Sequence, residues 1–276
     1  MKARILAVLI NAAIVGTAGG QTHALVDVGA HRLDYVRAGS GTPVVVFETG
    51  LADSLNVWLP MLDSVSRSTT AIAYSRAGFG RSESGAPDHS VPHAVADLHE
   101  LLHRIARPPF VLVARSYGSL IARLYISTYP SDIAGLVLVD GTHEQQVQRF
   151  GTLDSTYPGA FRAFFDSVLA QLPPGPEAAE IRETVRIQAA GSVEGLRPLP
   201  DIPIAVITSM KSDEKSQYVN GTGRGHEVWR RLHDEWFRRS RNGIHIVTTR
   251  SGHGIQDDEP ELVMQAIRFV LDRVQH

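Results

Sequence analysis

Residues 99–120, HELLHRIARPPFVLVARSYGSL, contain two motifs that could each carry out chemistry. Residues 99–103 match H-E-x-x-H, in which two histidines one helical turn apart bind zinc and the glutamate acts as a base. Residues 114–118, ARSYG, nearly match G-x-S-x-G, a turn between a strand and a helix that exposes a nucleophilic serine. The two motifs predict different reactions, so the elements around them must decide between them.

The sequence that follows the H-E-x-x-H motif has no suitable residue at the positions where a third zinc ligand is expected. A catalytic zinc ion takes three protein ligands, and His99 and His103 supply two. The positions that extend the motif in one class of metallopeptidase hold Ala106 and Pro109, and no glutamate occurs from residue 101 to residue 143. We therefore interpret His99 and His103 as partly exposed surface histidines and keep a zinc metallopeptidase as a remote alternative.

The serine motif has the neighbouring elements that its chemistry requires. The apolar run from Phe110 to Val113 predicts a buried strand, and a helical pattern begins just after Ser116. Such a turn holds the serine in a strained conformation, with its hydroxyl at the carboxyl edge of a sheet. The close crossing of strand and helix requires small residues two positions to either side, where Ala114 and Gly118 stand. Ser116 is therefore the predicted nucleophile.

Continuous apolar runs alternate with amphipathic helical patterns along the chain. The runs predict strands buried on both faces, at residues 44–47, 71–74, 110–113, 136–139, 204–207 and 244–248. A hairpin with its turn near Gly29 precedes them. This alternation predicts an α/β fold with a mainly parallel central sheet and helices on both faces.

One segment, at about residues 145–200, interrupts the alternation. Phe161, Phe164 and Phe165 begin an apolar helix face, residues 173–176 (PPGP) break the chain, and a second helix is predicted at about 178–190. This pattern predicts a helical cap over the sheet, with an ordinary packed helix pair as the alternative.

The composition excludes several kinds of function. The 276 residues carry a net charge of −2 with scattered basic residues, so we expect no nucleic-acid partner. The sequence has no cysteine, which excludes disulfides, thiolate catalysis and cysteine-ligated metals.

The first 20 residues predict a signal peptide. Lys2 and Arg4 precede an apolar run of 14 residues, and small residues follow it. A spanning helix needs roughly 20 apolar residues, and this run is shorter. An uncleaved membrane anchor is therefore kept only as the alternative. We expect a secreted or periplasmic protein, folded over residues 25–276, with no stable membrane span after signal cleavage.

Four segments are similar to motifs of the α/β-hydrolase superfamily. They are VVVFETGLADS, YSRAGFGRSE, ARSYGSLIARLYISTYPSDIAGLVLVDGTHE and SGHGIQDDEPELV. The resemblance covers roughly residues 25–275 and points to the subgroup with E-x-G in the first oxyanion loop. The sequence departs from the family's pattern at Ser75 and Ala114, where aspartate and glycine are usual.

The resemblance implies a role for several residues. Ser116 is the nucleophile, His253 is the base that takes its proton, and the backbone N–H groups of Leu51 and Tyr117 hold the oxyanion. Gly50 is expected to turn the chain so that the next amide faces the substrate. Neither a metal nor an organic cofactor is implied. A serine at the turn also argues against epoxide hydrolases and dehalogenases of this superfamily, which carry aspartate there.

Two aspartates compete for the role of the acid that orients His253. Asp140 directly follows the predicted strand at 136–139. Asp213 is closer to the more common arrangement in the superfamily, but residues 208–213 lack the usual glycine and are one residue too long. We predict Asp140 as the acid and keep Asp213 as the alternative.

The expected function is an exported serine hydrolase that cleaves small-molecule carboxylic esters or related acyl substrates through an acyl-enzyme. An aminopeptidase of the same fold is the alternative. It would need a carboxylate that holds the substrate's amine, and Glu177, Glu180 and Glu183 are the candidates in the cap. A non-catalytic binding protein is a remote alternative.

Several other polar residues carry weaker expectations. Glu48 and Arg76 are expected to pair beneath the oxyanion loop. His143 lies three residues after Asp140 and could line the site, although loop histidines are usually solvated. No spacing partner marks His226, His233 and His245.

Overall fold

The computed structural model describes residues 21–212, 219–238 and 240–274. Within these residues, eight strands form one sheet: β1 (Thr22–Asp27), β2 (Arg32–Ala38), β3 (Val44–Glu48), β4 (Ala71–Tyr74), β5 (Phe110–Arg115), β6 (Ile133–Val139), β7 (Ile204–Ser209) and β8 (Gly243–Thr248). Their order across the sheet is β1-β2-β4-β3-β5-β6-β7-β8.

The sheet is parallel from β4 to β8, and the β1–β2 hairpin adds two antiparallel strands beside β4. Every residue of β3 and β4 is buried, because helices cover both faces of the parallel part. The mainly parallel sheet that the apolar runs predict is therefore confirmed. The strands begin or end up to three residues beyond the predicted runs, and the largest difference is at β6, which begins at Ile133.

Nine helices accompany the sheet in the described part of the chain: α1 (Leu59–Ser66), α2 (Val91–Ile105), α3 (Gly118–Thr128), α4 (Gln146–Gly151), α5 (Tyr157–Leu169), α6 (Pro176–Ala190), α7 (Gly223–Phe237), α8 (Ile255–Asp258) and α9 (Pro260–Val274). Helices α2 and α3 cover one face of the sheet, and α1 and α9 cover the other. Along β3, Val46 belongs to the first core and Phe47 to the second, because successive strand residues point to opposite faces.

The connection from β6 to β7 contains α4, α5 and α6, which we call the helical insertion (residues 146–190). It has one helix more than the sequence predicts, because α4 is too short to show a clear period. Helix α5 buries little of its predicted apolar face: Tyr157 is buried, but Phe164 is 53% exposed. The phenylalanines of α5 are therefore not all needed to attach the helix to the protein.

The predicted signal peptide, residues 1–20, lies outside the described residues. Strand β1 begins immediately after this segment, at Thr22. Over the residues that the structure does describe, no helix combines the length and the apolar character that crossing a membrane requires.

Candidate active site

Ser116 occupies a tight turn between the end of β5 and the start of α3. Its φ is 49°, in the left-handed region that side chains other than glycine rarely adopt. The Ser116 N–H donates to the Val139 carbonyl of the adjacent strand at 3.1 Å, which holds the turn against β6. A Cβ at Gly118 would lie 2.4 Å from the carbonyl oxygen of Thr49, so the predicted need for a small residue there is a real steric limit.

His253 and Asp140 lie beside Ser116 in a continuous series of hydrogen bonds. The Ser116 Oγ is 2.8 Å from His253 Nε2, and His253 Nδ1 is 2.7 Å from Asp140 Oδ2. In the neutral histidine, Nδ1–H donates to the carboxylate and Nε2 accepts from the serine hydroxyl. The structure therefore brings together three residues that are separated by up to 137 positions in the sequence.

Two further groups donate to Asp140, and the sequence marks neither of them. Its Oδ1 accepts from the Ser209 N–H at 3.0 Å and from the Trp229 indole N–H at 2.8 Å. Burial alone would raise the pKa of Asp140, but the hydrogen bond and charge of His253, together with Trp229, lower it. Trp229 lies on an amphipathic helix, where a tryptophan is usually a packing residue, so no motif identifies this contact.

Asp213, the alternative acid, lies outside the described residues. The adjoining strand β7 extends two residues beyond its predicted end, to Ser209, whose N–H donates to Asp140. Asp140 itself has a φ of 43°. The Asp140 carboxylate accepts hydrogen bonds from three donors, and β6 ends at the residue before Asp140.

The loop after β3 carries Leu51, one of the two predicted oxyanion donors. Leu51 and Tyr117 both line the cavity next to Ser116. Within the described residues, neither backbone N–H donates to a protein acceptor. The positive φ of this loop falls at Ala52 (57°) and not at Gly50, so the expectation that Gly50 makes the turn is wrong. A Cβ at Gly50 would lie 2.9 Å from Asp53 Oδ2, so a larger residue there requires this side chain to move.

Arg76 holds this loop from beneath. Its guanidinium donates to Glu48 Oε1 at 2.7 Å, which confirms the expected pair, and to the Gly50 carbonyl at 2.6 Å. It also pairs with Glu180 of α6 at 2.6 Å, a contact that the sequence does not predict. Glu180 in turn accepts from the Ala52 N–H at 2.9 Å. Arg76 and Glu180 therefore connect the oxyanion loop to the helical insertion.

A cavity of about 400 Å³ opens beside Ser116, between the carboxyl edge of the sheet and the helical insertion. Its wall is largely aromatic, with Phe150, Tyr157, Phe161, Phe165 and Trp229. His226 lines it as well, and burial lowers the pKa of this histidine, which favours its neutral form. The arrangement can bind an apolar group next to a hydroxyl that is hydrogen-bonded to a base.

Three other histidines, His143, His233 and His245, have structural partners. His143 is buried and not solvated: it stacks on Trp236, and burial lowers its pKa to about 3. It does not line the cavity next to Ser116. His233 and His245 share the Thr208 hydroxyl, at 2.6 and 2.7 Å, although their spacing in the sequence suggests no relation.

The HELLH segment takes no part in this site. His99 and His103 are partly exposed on α2, as the sequence predicts, near the amino end of β6. The spacing of the motif indicates no third side chain beside them, but the Asp132 carboxylate lies 2.9 Å from His103 Nε2.

Comparison with known proteins identifies the fold family. A sequence profile of the alpha/beta hydrolase fold matches residues 43–185. The uncharacterized protein YqjL of Bacillus subtilis (strain 168) is 25% identical over 236 residues, or 84% of each chain. A thermophilic esterase from Thermogutta terrifontis superposes with a TM-score of 0.64 at 17% identity, over 92% of this chain and 99% of the esterase. The Cif epoxide hydrolase from Acinetobacter nosocomialis gives 0.64 at 16% identity, over 92% and 90%. The profile covers more than half of the chain, which therefore belongs to the alpha/beta hydrolase fold family.

Proposed function

We propose that this protein is a serine hydrolase that cleaves carboxylic esters or related acyl bonds through an acyl-enzyme. One observation carries the proposal: Ser116 Oγ, His253 and Asp140 are joined by hydrogen bonds of 2.8 and 2.7 Å at the floor of an aromatic cavity. An unassisted hydroxyl is a weak nucleophile, and a histidine base held by a carboxylate is the arrangement that activates it.

The reaction follows from these contacts. His253 Nε2 takes the Ser116 proton as Oγ attacks the carbonyl carbon, and the oxyanion accepts hydrogen bonds from the N–H groups of Leu51 and Tyr117. Asp140 stabilises the imidazolium, which then gives its proton to the departing alcohol. Water, deprotonated by His253, releases the acid from Ser116 by the same steps in reverse order.

Epoxide hydrolysis, which the Acinetobacter protein carries in its name, fits this site less well. In that chemistry, as the superfamily resemblance implies, an aspartate at the turn forms an ester that water then hydrolyses. Residue 116 is a serine, and Asp140 already accepts hydrogen bonds from three groups.

The aminopeptidase alternative also loses support. Glu180 forms an ion pair with Arg76, Glu183 pairs with Arg186 at 2.6 Å, and Glu177 is exposed. Among the described residues that line the cavity, Asp140 is the one acidic side chain. None of the described lining residues therefore offers a free carboxylate to a substrate's ammonium group, which favours neutral acyl substrates.

Replacement of the nucleophile tests the proposal directly. We expect Ser116→Ala to lower the turnover of p-nitrophenyl butyrate by about 10⁵–10⁶-fold, the loss typical of a removed triad nucleophile. A serine-directed phosphonate should label the wild type once and leave Ser116→Ala unlabelled. Ser119→Ala is the matched control, since this serine lies on the same turn but bonds to the Thr142 carbonyl, and it should keep the label. Retention of a tenth of the activity in Ser116→Ala would contradict the proposal.

The identity of the acid can be tested by comparing two isosteric variants. We expect Asp140→Asn to reduce turnover by about 10³–10⁴-fold, because an amide favours the wrong tautomer of His253. Asp213→Asn should stay within about threefold of the wild type. Circular dichroism establishes that both variants are folded. The reverse pattern, with the large loss in Asp213→Asn, would assign the acid to Asp213.

The aromatic wall predicts a preference for longer acyl chains. Each methylene buried in the cavity is worth about 0.8 kcal/mol, so kcat/KM should rise up to about fourfold per methylene from acetate to hexanoate esters. Phe161→Ala should flatten this series, whereas Phe164→Ala should not, because Phe164 is exposed and does not line the cavity beside Ser116. An equal effect of the two variants would show that α5 acts through the fold and not through the acyl pocket.

We also propose that the protein is exported to the periplasm or the medium. The support is the basic, apolar and small-residue order of residues 1–20, together with the start of β1 at Thr22, which leaves the sheet intact after cleavage near Gly20. The mass of the protein recovered from the periplasm or medium should correspond to an amino terminus at about Gln21. Full-length protein confined to the cytosol would contradict the proposal.

A further inference from the structure

The unused HELLH motif places two histidines side by side on α2. His99 and His103 are four residues apart and therefore share one face of the helix. Their ring centroids are 4.2 Å apart. The short helical turn Pro130–Asp132, between α3 and β6, brings Asp132 against this face.

The three side chains have the spacing of a tetrahedral metal site. His103 Nε2 lies 2.9 Å and His99 Nδ1 lies 3.5 Å from Asp132 Oδ2, and one ligand atom of each residue lies within 4.8 Å of the others. Zinc bonds of about 2.0–2.1 Å to nitrogen and oxygen imply ligand-to-ligand distances of about 3.3 Å in a tetrahedron. Small side-chain adjustments would bring all three atoms to that distance, with a water as the fourth ligand.

Neighbouring residues hold the three ligands in position. The Tyr125 hydroxyl donates to Asp132 Oδ2 at 3.0 Å, and Asp132 is only 8% exposed. The His99 ring stacks on Tyr129, with centroids 3.7 Å apart and planes 9° apart. Such hydrogen bonds and packing contacts around the ligands are a regular feature of metal sites in proteins. Burial and the nearby His103 lower the pKa of His99, which favours the neutral imidazole that metals bind.

We propose that His99, His103 and Asp132 form a binding site for one Zn²⁺ ion or a similar late transition-metal cation. Two nitrogen ligands and one carboxylate select such cations over Ca²⁺ and Mg²⁺, which prefer oxygen. The His103 side chain is 40% exposed, so an ion can enter from solvent and take the place of the hydrogen bond between His103 Nε2 and Asp132.

The site would stabilise the fold and would not hydrolyse peptides. Glu100, the base of the motif in zinc peptidases, bonds to Arg104 at 3.2 Å and is half exposed. Asp132 precedes β6 and Asp140 follows it, so strand length separates the metal site from the candidate active site by about 25 Å. The ion would join α2 to the turn that leads into β6.

Calorimetric titration of the full-length, untagged protein with ZnCl₂ tests the site. After EDTA treatment and dialysis at pH 7.5, we expect one equivalent of Zn²⁺ to bind, and CaCl₂ not to bind. At a free Zn²⁺ concentration of 100 times Kd, Tm should rise by about 5 °C. Lowering the pH to 5.5 should weaken binding at least tenfold, because protons compete for the two imidazoles.

Two ligand variants and one control variant test the assignment of the ligands. Asp132→Asn should weaken Zn²⁺ binding at least 100-fold, and His103→Ala provides the same test at a more exposed position should Asp132→Asn fail to fold. His93→Ala is the matched control: this histidine is also on α2, is 57% exposed and pairs with Asp88, and its loss should leave Zn²⁺ binding unchanged. No binding to the wild type, or equal binding to the wild type and both ligand variants, would overturn the proposal. These measurements do not depend on hydrolysis, so they are independent of the proposed esterase activity.

Discussion

The buried guanidinium of Arg76 makes ionic and hydrogen-bond contacts with three separate parts of the protein. Glu48 ends β3, the Gly50 carbonyl belongs to the oxyanion loop, and Glu180 belongs to the helical insertion. Although burial opposes its charge, the two carboxylates raise the pKa of Arg76 above its ordinary value. Loss of one member of a buried ionic group typically costs about 3–5 kcal/mol, because the remaining charges stay desolvated. Arg76 therefore links the loop to the helical insertion, which Ile187 and Gln188 also attach to the rest of the protein.

The carboxyl edge of the sheet also stores backbone strain. Ser116, Asp140 and Ala52 have φ values of 49°, 43° and 57°, and a residue other than glycine costs about 1–3 kcal/mol in such a conformation. The parallel strands β5 and β6 supply the packing that holds the first two in place. In these conformations the serine hydroxyl and the Asp140 carboxylate lie on either side of the His253 ring, at 2.8 and 2.7 Å from its nitrogens.

The two ends of the strands perform different tasks. The carboxyl ends carry the candidate active site under the aromatic helical insertion, whereas the amino end of β6 carries the His99, His103 and Asp132 cluster. Because β5 and β6 are paired neighbours and most of their residues are buried, the sheet separates the two regions by about the length of a strand. The aromatic residues of α5 face the cavity or the solvent more than the core, which leaves them available to determine substrate preference.

Local patterns in the sequence determined the strands, most helices, the turn at Ser116 and the loop that carries His253, and they left both Asp140 and Asp213 as candidates for the acid. These features depend on apolar periodicity and on the sterics of neighbouring residues, which are local properties. Tertiary structure alone decided the contacts of Trp229 with Asp140, of Glu180 with Arg76 and of Asp132 with His103. The partners are 89, 104 and 29 residues apart, and each lies on an element whose local pattern is that of an ordinary packed or surface segment. Polar pairs of this kind have no period along the chain, because they form where separate elements meet.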